Sequence, residues 1–331
     1  MKEQDIRPLN LLEEYLKLSK HDAKVYKSKT NLKKAFCEAC DNHKINSAFK
    51  KNGFMYKTCS SCQSLLLSPR PNPEKLNTFY RSSKSAAYWA NTFFPSVAEI
   101  RRKKIFRPRI IKIKKICDQH NLNVKKITEI GSGSGIFLEE WVKKFPETRC
   151  TAIEPSRDMA EQCRKKGIHV FEGFVEQTKK CHIASADLVV CFEVFEHVYS
   201  PFKFLKAAAN LVRPGGLMVL STLSIDGFDL QTLWNQSTQI NPPHHLNFYS
   251  LAALKKIFLK SGFSDIKITT PGRLDIDIVC NALLQKRIKS GSIRFFSKIA
   301  EETKVKIKFQ KFLVANKLSS HAWVVAFKPF L

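Results

Sequence analysis

Lys126-Ile127-Thr128-Glu129-Ile130-Gly131-Ser132-Gly133-Ser134-Gly135 carries an apolar, β-capable run into three glycines at alternate positions. Ile136-Phe137-Leu138-Glu139-Glu140-Trp141-Val142 then takes up helical periodicity. That is a strand, a tight turn and a helix. Glycine suits such a turn because a Cβ would block positive φ values and the close approach of a ligand, while the helix N-terminus offers unpaired N–H groups. Glycine-rich turns of this kind serve several nucleotides, so the neighbouring segments decide which chemistry applies.

After one helix comes a second strand, Arg149-Cys150-Thr151-Ala152-Ile153, ending in Glu154 about twenty residues beyond the glycines, where an acid can reach ribose hydroxyls. Ser185 to Phe192 has the pattern of a buried strand and leads into Glu193-Val194-Phe195-Glu196-His197-Val198. A helix then closes on Leu211-Val212-Arg213-Pro214-Gly215-Gly216, and Leu217 to Thr222 forms a fifth strand. In this order and spacing, residues 125 to 265 resemble the class I S-adenosylmethionine-dependent methyltransferases; the G-x-G-x-x-G turn expected of a dehydrogenase is missing.

The resemblance implies an α/β fold with a Rossmann-like seven-stranded sheet and S-adenosylmethionine as cofactor. It assigns Gly131, Ser132, Gly133 and Gly135 to the turn beside the methionine portion, Glu129 to its amino end, and Glu154 with Pro155 to the ribose. Phe174 and Val175 are expected to line the adenine with Glu176 as a hydrogen-bond partner, and Cys191 and Phe192 to end the adjoining strand against the cofactor.

If the chain turns helical after Phe192, Glu193, Glu196 and His197 stand at i, i+3 and i+4 and face one way. Two carboxylates and an imidazole suit Mg²⁺ or Mn²⁺. The E-x-x-E-H pattern resembles ubiquinone-pathway O-methyltransferases and small-RNA 2′-O-methyltransferases, which place an ion there. In the latter a further histidine after strand five completes the site, and Pro242-Pro243-His244-His245 follows strand five here. The alternative is a glutamate that caps the next helix beside a locally packed histidine. Without metal, His244 or His245 is the expected general base, an imidazole being suited to taking a hydroxyl proton near neutrality.

Towards the N-terminus, Cys37-Glu38-Ala39-Cys40 and Cys59-Ser60-Ser61-Cys62 are separated by eighteen residues, a spacing that lets two knuckle turns close a tetrahedral, structural zinc site. Asp41 and Gln63 stand where a knuckle prefers glycine, and His43 is a spare ligand candidate. The apolar run Leu65 to Leu67, Pro69-Arg70-Pro71, and a helix ending in Tyr80 follow. This module resembles the zinc ribbon that precedes methyltransferase cores in bacterial sugar and O-antigen pathway enzymes. Tyr88-Trp89 and Phe93-Phe94 either wall a substrate pocket or pack the two units together.

The expected organisation is an N-terminal helix and basic segment (1–30), the ribbon and its exit helix (31–80), an aromatic and basic helical linker (81–125), the cofactor-binding core (126–271), and a helical insertion with the final strand (272–331), Ser319-Ser320-His321 forming a turn before that strand. Pro108 should kink or restart the linker helix. With no leading apolar run and no apolar stretch of bilayer length, a soluble, cytoplasmic protein is expected. Ten cysteines fit a reducing compartment. The formal net charge of +27 raises the prospect of an anionic partner, but no nucleic-acid module accompanies it, so solvated lysine faces are favoured. The expected activity is methyl transfer to a hydroxyl of a small-molecule or carbohydrate acceptor. Metal-dependent RNA 2′-O-methylation and a non-catalytic cofactor-binding scaffold are the alternatives, and the oligomeric state stays open.

Overall fold

The computed structural model describes residues 1–28, 31–178, 185–285, 287 and 294–330. Near the N-terminus, β1 (Ile45–Lys51), β2 (Phe54–Cys59) and β3 (Leu65–Leu67) form an antiparallel meander. Asn52 and Gly53, both at positive φ, make the β1–β2 turn.

The main sheet contains β4 (Lys126–Ile130), β5 (Arg149–Glu154), β6 (His169–Glu172), β7 (Ala186–Phe192) and β8 (Val212–Leu223). Between β8 and the last two strands, β9 (Asn247–Phe248) leaves for the ribbon and pairs antiparallel with β3; β10 (Ser264–Thr269) and β11 (His321–Phe327) then complete the main sheet. Its order is β10-β11-β8-β7-β4-β5-β6, with β11 antiparallel to both neighbours and the remaining pairs parallel. Every residue of β7 is buried, as a central strand covered on both faces requires. The chain winds outward from β4 to one edge and restarts at β7 towards the other. The carboxyl ends of β4 and β7 are therefore a topological switch point, where ligands of open α/β sheets bind.

Asp187, at the start of β7, ties this centre together. It accepts from the Lys125 and Lys126 backbone N–H groups at 2.9 and 2.8 Å and from Arg213 Nε at 2.5 Å. Helices Ile136–Lys144, Arg157–Lys165, Pro201–Leu211 and Leu251–Lys260 cover the sheet; the last two are capped by Ser200 and Ser250.

Outside the core the chain is more ordered into helix than its sequence suggested. A 20-residue helix, Leu9–Ser28, fills most of the N-terminal stretch expected to hold a helix and a basic segment. Residues 94–119 run as continuous helix, with a π segment, Arg102–Phe106, just before Pro108, where the proline's missing N–H interrupts the regular hydrogen-bond ladder. The insertion forms helices Asp275–Leu284, Arg294–Glu301 and Thr303–Ala315; Phe296 and Phe309 pack on Phe228, while Phe295 and Phe312 face solvent. Among the described residues, no helix is long and apolar enough to cross a membrane.

Candidate active site

A cavity of about 1210 Å³ opens over the switch point, walled by the turns after β4, β5 and β7, the 241–245 loop and the aromatic linker. Gly131, Gly133 and Gly135 have φ of 70°, 54° and 74°, so the alternate glycines are required by the backbone. A Cβ on Gly131 would lie 2.4 Å from Val194 Cγ2, and one on Gly135 2.8 Å from Cys163 Sγ, whereas one on Gly133 would meet nothing within 4 Å. Gly133 thus borders open space, and its N–H donates to Glu154 Oε2 at 2.8 Å. Glu154 Oε1 accepts from Ser156 N at 2.9 Å, so the carboxylate is fixed with lone pairs still facing the cavity.

Glu129 is 3 % exposed and its Oε2 has no partner, an acceptor aimed at a group still to arrive. Burial raises its pKa well above the carboxylate range against the pull of Arg109. An unsatisfied carboxyl, an open glycine bend and a fixed second carboxylate suit the ammonium, carboxylate and ribose of an amino-acid nucleoside. Ser132, Pro155, Phe174, Val175 and Phe192 also line this space. Cys191 does not: it is wholly buried within the sheet's core, because side chains alternate along a strand and Phe192 takes the cavity side.

The segment after β7 departs from the expected helix. Only Phe195–His197 is helical, as one 3-10 turn, and Glu193 sits at φ 55°. Glu193 is thereby turned away from the other two: its Oε1 accepts from Ser221 Oγ at 2.6 Å and from His321 Nε2 at 2.8 Å, with Arg109 Nη2 at 4.0 Å. Its side chain is exposed at the cavity wall, where desolvation works against its charge, yet His321 and Arg109 hold it well below the usual range. His321, expected in a turn, begins β11 and faces the cavity.

What joins Glu196 and His197 is His245: the three offer ligand atoms within 4.8 Å of one another. His197 Nδ1 donates to the His244 carbonyl at 2.9 Å and His245 Nδ1 to the Gln239 carbonyl, leaving the Nε2 lone pair of each ring available. Metal-binding histidines commonly have their tautomer fixed by a backbone carbonyl in this way. Glu196 Oε2 accepts from Thr222 Oγ1 at 2.8 Å. Burial and then the Glu193 charge raise the Glu196 pKa, while burial pushes His197 down to about 4 and His245 to about 3. His244 is committed elsewhere: its Nε2 bonds Ser85 Oγ at 2.9 Å, and Ser85 donates to Asp22 Oδ2 at 2.6 Å.

Sequence patterns did not single out Arg101, Arg109, Ser85 or Asp22. Each lies on an N-terminal helix whose relation to the core only tertiary packing defines. Tyr56 and Tyr80, from the ribbon and its exit helix, donate to the carbonyls of His245 and His244 at 2.6 and 2.7 Å.

The four ribbon cysteines also offer ligand atoms within 4.8 Å of one another, and Cys37 Sγ lies 3.6 Å from Cys62 Sγ. A tetrahedron of Zn–S bonds has edges of about 3.8 Å, so the spacing fits zinc. Asp41 and Gln63 take the positive φ values, 52° and 59°, that the knuckles demand. His43 stacks on Phe36 instead of joining the group.

The sheet order, glycine bend and acid-tipped β5 define the class I fold of S-adenosylmethionine-dependent methyltransferases. Residues 99–268, just over half of the chain, match the profile of the methyltransferase domain family, and the chain belongs to that family. Two relatives are ubiquinone biosynthesis O-methyltransferases: that of Escherichia coli (strain K12 / DH10B), 32% identical over 107 residues, and that of Actinobacillus pleuropneumoniae (serotype 5b, strain L20), 27% identical over 110. The matches cover 31% and 30% of this chain and 45% and 46% of the relatives, so the chain spans about half their length. Among solved structures, a possible histamine N-methyltransferase from Thermotoga maritima is similar at 16% identity and TM-score 0.47, covering 71% of this chain and 96% of its own. A methyltransferase from Archaeoglobus fulgidus is 18% identical with TM-score 0.46, at 71% and 100% coverage.

Proposed function

We propose that this chain methylates a hydroxyl oxygen of a small-molecule or carbohydrate acceptor, using S-adenosylmethionine, with a divalent ion, Mg²⁺ or Mn²⁺, at Glu196, His197 and His245. The observation that carries this is the shared cavity: the glycine bend after β4 and the Glu196–His197–His245 group open into one space from adjacent strands. The names of the relatives favour oxygen as the methylated atom. The carbohydrate preference rests on the ribbon-plus-core layout.

When bound, the cofactor supplies an electrophilic methyl on a positively charged sulfur. Glu129 would accept from its ammonium, Arg109 would face its carboxylate, and Glu154 would take the ribose hydroxyls. Phe174 and Val175 would cover the adenine. An ion at the three-donor group would supply Lewis acidity to the acceptor hydroxyl. As the C–S bond breaks and the O–C bond forms, the hydroxyl proton must leave. Where no ion occupies the group, Glu196, whose pKa burial raises, is a better acceptor for it than His245, which burial depresses. Most of the rate would come from in-line alignment within the cavity. The four ribbon cysteines are read as a structural zinc site, since four sulfurs leave no open position.

Incubation with methyl-labelled cofactor and fractionated extract tests this. Label should enter a nucleotide-sugar or glycan fraction and be lost with Glu196→Gln, while cofactor binding persists. Label in RNA would instead favour metal-dependent RNA 2′-O-methylation; cofactor binding with no label in any fraction would leave a scaffold.

A further inference from the structure

We propose that the acceptor carries an anionic group, a carboxylate or a phosphate, and that Arg101 binds it. This deepens, and rests on, the methyl-transfer function above. Arg101 and Arg102 are adjacent yet differ completely. Arg102 spends its guanidinium on Glu99, Glu140 and Glu139 at 2.9, 2.7 and 3.1 Å. Arg101, among the described residues, makes no hydrogen bond or ion pair; its Nε is buried and unpartnered, and the side chain lines the active-site cavity.

Its guanidinium lies over the rings of Trp89 and Phe94, with Cζ 5.6 and 5.2 Å from their centroids. Stacking engages the face of the fork and leaves its edge, where all five N–H groups lie, for a planar or tetrahedral oxyanion. Arg101 is also short of negative charge. Burial and the neighbouring Arg7 lower its pKa to about 9, with Glu193 a partial offset and Arg109 a further repulsion. A half-buried, repelled cation kept without a partner is costly unless a ligand completes it.

Position separates this group from the cofactor's own carboxylate. Both arginines feel Glu193, but only Arg109 also feels Glu129, which puts it on the cofactor side. Arg101 stands on Trp89, whose ring meets Tyr15 at 5.2 Å, and Tyr15 meets His244 at 5.6 Å. An acceptor lying along this aromatic wall would present its anion to Arg101 and its hydroxyl to the histidine loop.

The test is calorimetric titration of the full chain, with and without S-adenosylhomocysteine, using benzoate and phenyl phosphate as anions and phenol as the neutral probe. At least one anion should bind tenfold or more tightly than phenol, and which one does so distinguishes carboxylate from phosphate. Arg101→Met should lose that preference, Arg101→Lys retain part of it, and Lys103→Ala, a solvent-exposed control, leave it intact. Retained S-adenosylhomocysteine binding would show that Arg101→Met is folded. Equal binding of anions and phenol, no saturable anion binding, or undiminished binding in Arg101→Met overturns the assignment. Failure of S-adenosylhomocysteine to bind wild type would instead sink methyl transfer, with the anion titration still reporting on Arg101.

Discussion

Replacing Glu129 by glutamine should move stability and cofactor affinity in opposite directions. Without cofactor, Glu129 is a buried carboxyl with one oxygen unpartnered, its pKa raised chiefly by burial. A group whose folded pKa exceeds its unfolded value contributes stability below the unfolded pKa, near 4.5 here, and loses it as pH rises through the folded value. Each pH unit in that window costs about 1.4 kcal/mol. An uncharged amide escapes the titration, so Glu129→Gln should stabilise the cofactor-free protein by about 1–3 kcal/mol at pH 7, the usual penalty of an unsatisfied buried group, and by almost nothing at pH 4. The bound state reverses the sign: a charge-assisted bond to the ammonium, worth about 1.5–3 kcal/mol, is lost, which weakens binding roughly 10- to 150-fold. Urea unfolding at pH 4 and 7 and calorimetry with S-adenosylhomocysteine measure both terms. A variant less stable than wild type at pH 7, or one that binds the nucleoside undiminished, would refute this placement of the cofactor's amino end.

Gly131→Ala should lose cofactor affinity and about 1–3 kcal/mol of stability, since the new methyl would lie 2.4 Å from Val194 Cγ2 at a φ of 70°. Adding Val194→Ala should recover part of the stability in thermal melts, and no recovery would mean that the backbone conformation alone sets the cost. Asp187→Ala removes the acceptor for two backbone N–H groups and Arg213, and should cost about 2–4 kcal/mol in urea titrations with no change in cofactor affinity beyond the loss of folded protein. Cys59→Ser should abolish one equivalent of zinc by elemental analysis; freshly purified wild type without zinc would remove the structural metal. Tyr56→Phe deletes the bond to the His245 carbonyl, so turnover should fall several-fold with cofactor affinity unchanged, read as kcat against the dissociation constant for S-adenosylhomocysteine.

How far sequence carried the site follows from which contacts are local. The glycine bend and Glu154 were legible because strand, turn and helix occupy consecutive residues, and the positive φ values at Gly131, Gly133 and Gly135 are properties of the turn itself. Glu193 misled because helical spacing was extended across a residue at φ 55°, which a sequence does not display. The resemblance pointed to a histidine after the fifth strand as the partner of Glu196 and His197, but not to His245 over His244. That pairing depends on how the 241–245 loop returns over β7, and the return depends in turn on the ribbon.

The ribbon and the core therefore cannot be separate units with independent tasks. The ribbon sheet takes its fourth strand, β9, from the residues that directly follow His244 and His245, with Asn247 opposite Leu66 and Phe248 opposite Leu65. Tyr56 and Tyr80 add their hydroxyls to the carbonyls of the same two histidines. A structural zinc would then act on the reacting atoms through one strand pairing and two hydrogen bonds. Removing it should loosen the histidine loop before it disturbs the glycine bend, which β4 and β5 hold without the ribbon. Metal loss that lowered turnover while sparing nucleoside binding would follow from this connection; equal loss of both would mean that the whole chain unfolds together.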